Sequence, residues 1–426
     1  MKVLHVLNGV SGGAARSVAE LVVATDRLGV ESFAICHDPR GVHGDEREAV
    51  ERAFGDRIVY RELYRWNRRI RSRRAMRPLM AAHQCLRTGG GWSSSRAVAD
   101  HARVIGADLL HTNTFTVPDG AVASAALGVP HVWHVRELVG PDEPFRFYGG
   151  RRGFATIARG SDFVVNSPAT RSRFARLVPD APSHLVPNGL ELGDFLDVAG
   201  SRDGARTAAA GGDLVVGMVA NLTSSLKGHD QFVDAAVRCR DLDAVTFRLY
   251  GADPVQVGGT ARAVRYAQQL HRRVEEAGIG GRFTFAGFYA DPVQIMREID
   301  LLVLPNEKES FGRVAVEAMA AGACVVAADS EALRFVLDDG KAGVLVPARD
   351  PAAIADAIRS LAADAGARRR LAEAGSARAV EAFSIERCAA AVVDVYHAAL
   401  ARPRSGVSLE AAWARIIPLR ALGWGG

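Results

Sequence analysis

Hydrophobic residues in this 426-residue chain fall into short runs separated by longer amphipathic stretches. Short apolar runs bounded by Gly, Pro, Asn or Asp read as buried strands, and the longer stretches between them as helices. In the first half the predicted strands are 2–7, 31–36, 109–112, 131–135, 163–166 and 184–186, with helical stretches such as 15–28 and 96–105 between them. A second series follows at 214–219, 246–250, 282–286, 301–304, 324–327 and 344–346. Strand–helix alternation of this kind builds parallel βαβ units. The fold class expected is α/β, with two Rossmann-like domains facing across a cleft. The segment 199–213 is small, polar and glycine-rich and reads as a linker. The expected boundaries are 1–198, the linker 199–213, 214–386, a helix 387–402, and a tail 403–426 whose apolar piece runs from Trp413 to Trp424.

The densest chemistry lies at Glu309-Ser310-Phe311-Gly312-Arg313, which runs on to Glu317. The preceding Leu301-Leu302-Val303-Leu304 is a predicted strand, and the stretch from Val314 to Ala321 a predicted helix ending at Gly322. Glu309 therefore falls just past a strand's carboxyl end, and Glu317 about two turns along a helix of ~3.6 residues per turn. Ligands of open α/β sheets bind in that crevice. A helix start offers N–H groups and positive dipole to an anion. Carboxylates beside such a site suit hydroxyl groups, which donate to them.

Glu309 and Glu317, with Phe311-Gly312 between them, resemble the donor-site motif of the retaining glycosyltransferases of family four. The likeness extends in order from Arg282 to Pro347, through Phe283-Thr284-Phe285-Ala286-Gly287, Ile299-Asp300-Leu301-Leu302, Glu317-Ala318-Met319-Ala320-Ala321-Gly322 and Gly343-Val344-Leu345-Val346. It implies the two-domain GT-B fold, a last helix returning toward the first domain, and transfer of a sugar from a nucleotide-sugar donor to a hydroxyl acceptor. A UDP- or GDP-sugar heads the expected donors. A saccharide, a lipid-linked saccharide or a small molecule is the expected acceptor, in cell-envelope, exopolysaccharide or other glycoconjugate biosynthesis. On that likeness Glu317 takes the ribose hydroxyls and Glu309 a sugar hydroxyl. Ser310, Phe311, Gly312 and Arg313 belong to donor binding. Lys227, before Gly228 and a predicted helix, is a point charge for the diphosphate. The family carries an arginine six residues earlier, where this chain has Asn221, so the second charge would come from elsewhere, for example Arg313.

Three further places in the first half fit the likeness. Gly12 and Gly13 lie in a glycine-bearing turn after the first strand, expected near donor phosphate and acceptor. His134, at the end of 131–135, is expected beside the reacting sugar, and Glu137 is a candidate acceptor contact. Asn188-Gly189 matches the family's Asn-Gly at the end of the first domain. No cofactor or metal is implied. Asp241-Leu242-Asp243 spells a metal-binding pattern of other glycosyltransferases, but it stands between a helix and a strand and reads as a turn. Two rival readings remain open: a donor-binding partner subunit without turnover, which Asn221 permits, and a GT-B epimerase or phosphorylase, which Glu309 and Glu317 disfavour.

Composition narrows the setting. With 48% hydrophobic and 24% charged residues the chain is an ordinary globular protein. No run of ~18 apolar residues predicts a transmembrane helix, and the start of the chain turns polar too soon for a secretory signal. Five cysteines without a CxxC argue against a zinc site or a disulfide framework and for a cytoplasmic location. The net charge of +5 is concentrated between Arg61 and Arg77, where eight arginines interleave with Tyr64, Trp66, Ile70 and Met76. That segment is the candidate for peripheral contact with the inner membrane face. The competing reading is a solvated helix, and no motif points to nucleic acid.

Overall fold

Val3 to Leu7 and Leu301 to Leu304 are buried along their whole length, as a strand covered on both faces must be. Around such strands the chain forms two parallel sheets. The computed structural model describes residues 1–10, 12–37, 45–64, 67–69, 77–139, 145–147, 160–206, 213–223, 225–402, 406–409 and 411–412; for 45, 67–69, 77–90, 145–147 and 202–206 it describes the backbone alone. Two compact units result, residues 1–189 with 385 onward, and residues 190–384.

The first unit is built on β1 (Lys2–Leu7), β2 (Glu31–His37), β3 (Ile58–Arg61), β5 (Leu109–Asn113), β6 (His131–Val135), β8 (Asp162–Val165) and β9 (Ser183–Leu185). They lie in the order β3-β2-β1-β5-β6-β8-β9, all parallel. A separate antiparallel pair joins β4 (Asn67–Arg69) to β7 (Phe145–Phe147). The second unit holds β10 (Leu214–Val219), β11 (Val245–Tyr250), β12 (Phe283–Gly287), β13 (Leu301–Leu304), β14 (Cys324–Ala328) and β15 (Val344–Val346). Their order is β12-β11-β10-β13-β14-β15, again parallel. Each sheet reverses its winding once, between β1 and β5 and between β10 and β13. At such a switch point neighbouring strand-end loops diverge and leave a ligand crevice.

The linker expectation needs correction. Residues 199–206 continue a helix, Gly193–Arg206, which belongs to the second unit. Its Phe195 and Val198 are buried with Met296 and Met319, and it packs on helices Pro292–Glu298 and Arg313–Ala320. Gly200 and Gly204 weaken helix propensity, but tertiary packing of an apolar face decides whether a helix forms. The first unit therefore hands over at 189/190 rather than at 198, and 207–212 lie outside the described residues.

The last helix, Ile385–Leu400, groups with the first unit, packing on helix Gly12–Asp26 and on β6 and β8. Val392 and Tyr396 share a core with Val3, Leu109 and Val132. Beyond it, Arg402 pairs with buried Asp162, Val407 N–H donates to the Ala125 carbonyl at 3.0 Å, and Ala412 is buried. The described part of the tail thus packs on the body, while Trp413 to Trp424 lies outside the described residues. So does most of the arginine-rich stretch 61–77. At its start Arg61 and Glu62 are exposed, and Leu63 and Tyr64 are buried. Among the described residues no helix is long and apolar enough to cross a membrane.

Asp119 anchors that start. Fully buried in the first turn of helix Asp119–Leu127, it accepts from Tyr64 N–H at 2.9 Å, Ser94 Oγ at 2.7 Å and Ser95 Oγ at 2.6 Å. Burial pushes its carboxyl up to about 6 although these donors pull the other way. Asp119→Ala strands all three donors, and a loss of ~2–5 kcal/mol is expected, read as a lower urea midpoint at unchanged m-value.

Candidate active site

In the second unit the switch point brings the loop after β10 against the loop after β13. The contact is close. Gly228 has φ +84°, and a Cβ there would stand 2.7 Å from Pro305 Cγ and 3.0 Å from the Pro305 carbonyl carbon. Gly228 caps helix His229–Arg238 and leaves Lys227 at the helix start. Across the junction Asn306, Glu309 and Gly312 follow β13. Gly312, at φ +97°, caps helix Arg313–Ala320.

Glu309 is held from three sides. Its Oε2 accepts from Asn306 Nδ2 at 2.6 Å and Lys227 Nζ at 3.3 Å, and its Oε1 from the Ser310 amide at 3.2 Å. Lys227 is half exposed, so this ion pair contributes ~0–1 kcal/mol and serves mainly to orient the groups. Glu317 is the fifth residue of its helix and almost wholly buried. Arg313 Nε donates to its Oε1 at 2.9 Å. The Phe311 side chain is core, packed edge-on against Phe383 at 5.5 Å. The side-chain oxygen of Asn221 is already engaged, accepting from the Ala252 amide at 2.8 Å and pinning the loop after β11. Lys227, Glu309, Ser310, Phe311, Gly312, Arg313, Glu317 and Asn221 thus all flank or border one strand-end junction. Asn306, which the sequence reading missed, completes it. Its only signal is its place just after the Pro that ends a buried strand.

The remaining candidates lie in the first unit. Gly12 and Gly13 open helix Gly12–Asp26, exposed and with open space beside them. His134 is wholly buried on β6, its ring stacked on His111 with centroids 5.5 Å apart. Arg136 reaches it, Nη2 to Nδ1 at 3.4 Å, and also donates to Asn188 Oδ1. Glu137 Oε2 accepts from the Arg136 amide at 3.3 Å and the Phe115 amide at 3.4 Å, and burial raises its carboxyl above the usual range. Beneath lie His5 and His111. His5 Nδ1 is 3.2 Å from Asn113 Nδ2, and His111 Nδ1 bonds the Tyr396 hydroxyl. Sequence reading named His134 but missed His5 and His111, because a single histidine in each of β1 and β5 leaves no spacing to recognise.

Asp241 and Asp243 are engaged elsewhere. Arg359 grips Asp241 through both of its terminal nitrogens, at 2.7 and 2.5 Å, and holds its carboxyl down at about 2. Arg282 approaches Asp243 at 3.4 Å.

Two parallel-sheet Rossmann-like domains in one chain are the architecture of the GT-B class. The model of Glycosyltransferase Family 4 matches residues 11–194, and that of Glycosyl transferases group 1 matches 213–364. A D-inositol 3-phosphate glycosyltransferase of Acidothermus cellulolyticus is 30% identical over 321 residues, 71% of this chain and 69% of the relative. The chain belongs to the family-four glycosyltransferases. The D-inositol 3-phosphate glycosyltransferase of Geodermatophilus obscurus is 34% identical over 253 residues, 56% of this chain. The chain spans only about half of that relative's length, 54%. Among solved structures, Anabaena HepE in complex with UDP matches with TM-score 0.71 over 93% of this chain and 100% of that one. At 21% identity this likeness concerns the fold.

Two outcomes follow from the geometry. Gly228→Ala forces a Cβ into Pro305 at a left-handed backbone position, so a loss of ~1–3 kcal/mol is expected in thermal unfolding. The histidine row makes the first unit sensitive to acid. Burial first, then Arg136, pushes His5 down to about 3, and burial holds His111 and His134 well below 6.5. A depressed folded value means that the folded state binds fewer protons than the unfolded one. The stability is complete above 6.5 and is lost as pH falls from there toward about 3, at ~1.4 kcal/mol per pH unit for each histidine. Urea midpoints should fall with this slope between pH 7.5 and about 6, below which protonation of Asp119 in the folded state offsets part of the loss, and His5→Gln should reduce the fall by one histidine's share.

Proposed function

We propose that this protein is a retaining glycosyltransferase that moves a sugar from a nucleotide-sugar donor to a hydroxyl acceptor. One observation carries the reading. Glu309 and Glu317 stand at one strand-end junction, each already hydrogen-bonded by a cation, Lys227 or Arg313. Glu317 would receive the ribose hydroxyls and Glu309 a sugar hydroxyl. Lys227, with backbone amides near Phe311 and Gly312, would meet the charge that grows on the leaving diphosphate, an electrostatic stabilisation of the transition state. Phe288, exposed in the loop after β12, offers an apolar ring of the kind a nucleobase covers.

The donor proposed is a UDP-sugar, with a GDP-sugar next. HepE, which shares the fold, has been solved with UDP and with UDP-glucose. The acceptor to try first is a phosphorylated polyol, because relatives carry the name D-inositol 3-phosphate glycosyltransferase. Saccharide acceptors of the cell envelope come second. On this reading the enzyme works in the cytoplasm without a metal, and contact with a membrane would run through the segment 61–77.

The test is a thermal-shift screen against UDP-, GDP-, ADP- and dTDP-sugars, with and without EDTA, using Glu317→Ala as control. A ligand at 100 times its dissociation constant stabilises the fold by ~2.7 kcal/mol. The expected result is a shift with UDP-sugar that survives EDTA and vanishes in Glu317→Ala. Lys227→Ala should then lower kcat ~10²–10³-fold in sugar transfer. A protein that answers to no nucleotide sugar would overturn the donor site.

A further inference from the structure

Arg313 stands where local physics disfavours it. It is the first residue of helix Arg313–Ala320, and the positive end of a helix dipole favours acids there and repels cations. Its partner Glu317 lies four residues on, and an acid preceding its base is the more stabilising order along a helix, not the reverse. Helix stability does not explain the pair. Burial does not explain it either, because an apolar residue at 313 would spare a guanidinium its desolvation. Arg313 Nε nevertheless donates to Glu317 Oε1 at 2.9 Å, with 13% and 6% of the two side chains exposed. Among the described residues nothing donates to the other oxygen, Oε2.

We infer that Arg313 is a positioning residue: it grips one oxygen of Glu317 so that the other is aimed at the ribose hydroxyls of the bound nucleotide. The inference rests on the donor site proposed above and assigns Arg313 to the sugar of the nucleotide, not to its phosphates. The planar guanidinium fixes the carboxylate in direction as well as in charge, which a lysine ammonium does not. A buried carboxylate without its partner would rotate or take up a proton, and either change removes its power to distinguish a ribose from a deoxyribose.

The experiment measures the affinities of UDP, 2′-deoxy-UDP, 3′-deoxy-UDP and inorganic diphosphate for the full chain and for Arg313→Met, Arg313→Lys, Glu317→Ala and the Arg313→Met/Glu317→Ala pair. Methionine keeps an unbranched stem, and circular dichroism confirms that each variant is folded. Arg313→Met is expected to weaken UDP about tenfold, to leave the deoxy-nucleotide that lost the recognised hydroxyl and diphosphate nearly unchanged, and to add nothing once Glu317 is gone. Arg313→Lys should recover part of the loss. An equal loss for UDP, both deoxy-nucleotides and diphosphate would overturn the inference and make Arg313 a phosphate cation. Unchanged affinity for UDP would overturn it as well. If the wild-type chain does not bind UDP, the donor reading proposed above fails and the inference with it. If it binds UDP and shows no coupling, the inference alone fails.

Discussion

A parallel sheet covered on both faces has no room for polar groups along its strands, so its chemistry is displaced to the strand ends. The second unit follows this constraint closely. Leu301 to Leu304 are buried, and Asn306, Glu309 and Gly312 come immediately after. What turns those ends into a site is the approach of the β10 loop, where Gly228 lies against the backbone of Pro305. That contact brings Lys227 within 3.3 Å of Glu309. A side chain at 228 would have to push Pro305 aside to keep that approach. The left-handed glycines at 228 and 312 also leave two helix starts with their first N–H groups unpaired by capping side chains. Such groups are what an anion needs.

The first unit departs from the constraint. His5 and His111 sit inside β1 and β5, opposite each other in register, and His134 sits in the neighbouring strand. Imidazole is the polar group best suited to such a place, because its neutral form carries one donor and one acceptor and costs far less to bury than an ion. The neighbouring charge of Arg136 reinforces neutrality. The result is an uncharged polar seam that runs from the strand ends through His111 to Tyr396 on the last helix. It ties residues 385–400 to the sheet by a direction-dependent bond, His111 to Tyr396, in addition to apolar packing.

The fold was legible because parallel strands write themselves as continuous apolar runs, and twelve were read from the sequence close to where they occur. β3, Ile58–Arg61, was not, since its three apolar residues run into an arginine-rich stretch and the charge hides the pattern. Residues 199–206 of the helix Gly193–Arg206 were read as linker because they are small, polar and glycine-rich, while the buried residues that hold the helix, Phe195 and Val198, precede them and find partners distant in sequence. At the site, the glutamates and Lys227 were legible through spacing and neighbouring elements. The supporting contacts were not. Arg136 and the hook from Asn221 to Ala252 join residues across strand ends, and no local pattern records such contacts; Asn306 reaches Glu309 within one loop, where an asparagine after a proline looks like any other turn residue.

On the donor site proposed above, Asn221, which stands where the resembling family carries an arginine, changes how charge would be distributed. Glu309 and Glu317 are each paired with one cation, Lys227 and Arg313, whereas a diphosphate would add negative charge that some cation must answer. The two ion pairs are not equally able to release one. Lys227 is 51% exposed and its pair with Glu309 is weak, so the ammonium can turn to a phosphate at little cost while Asn306 and the Ser310 amide continue to hold the carboxylate. The pair of Arg313 and Glu317 is sequestered, and separating it would leave a buried charge uncompensated, a loss of ~3–5 kcal/mol in comparable settings. Lys227 is therefore the mobile charge of the site and Arg313 the fixed one, a division that follows from exposure rather than from residue type.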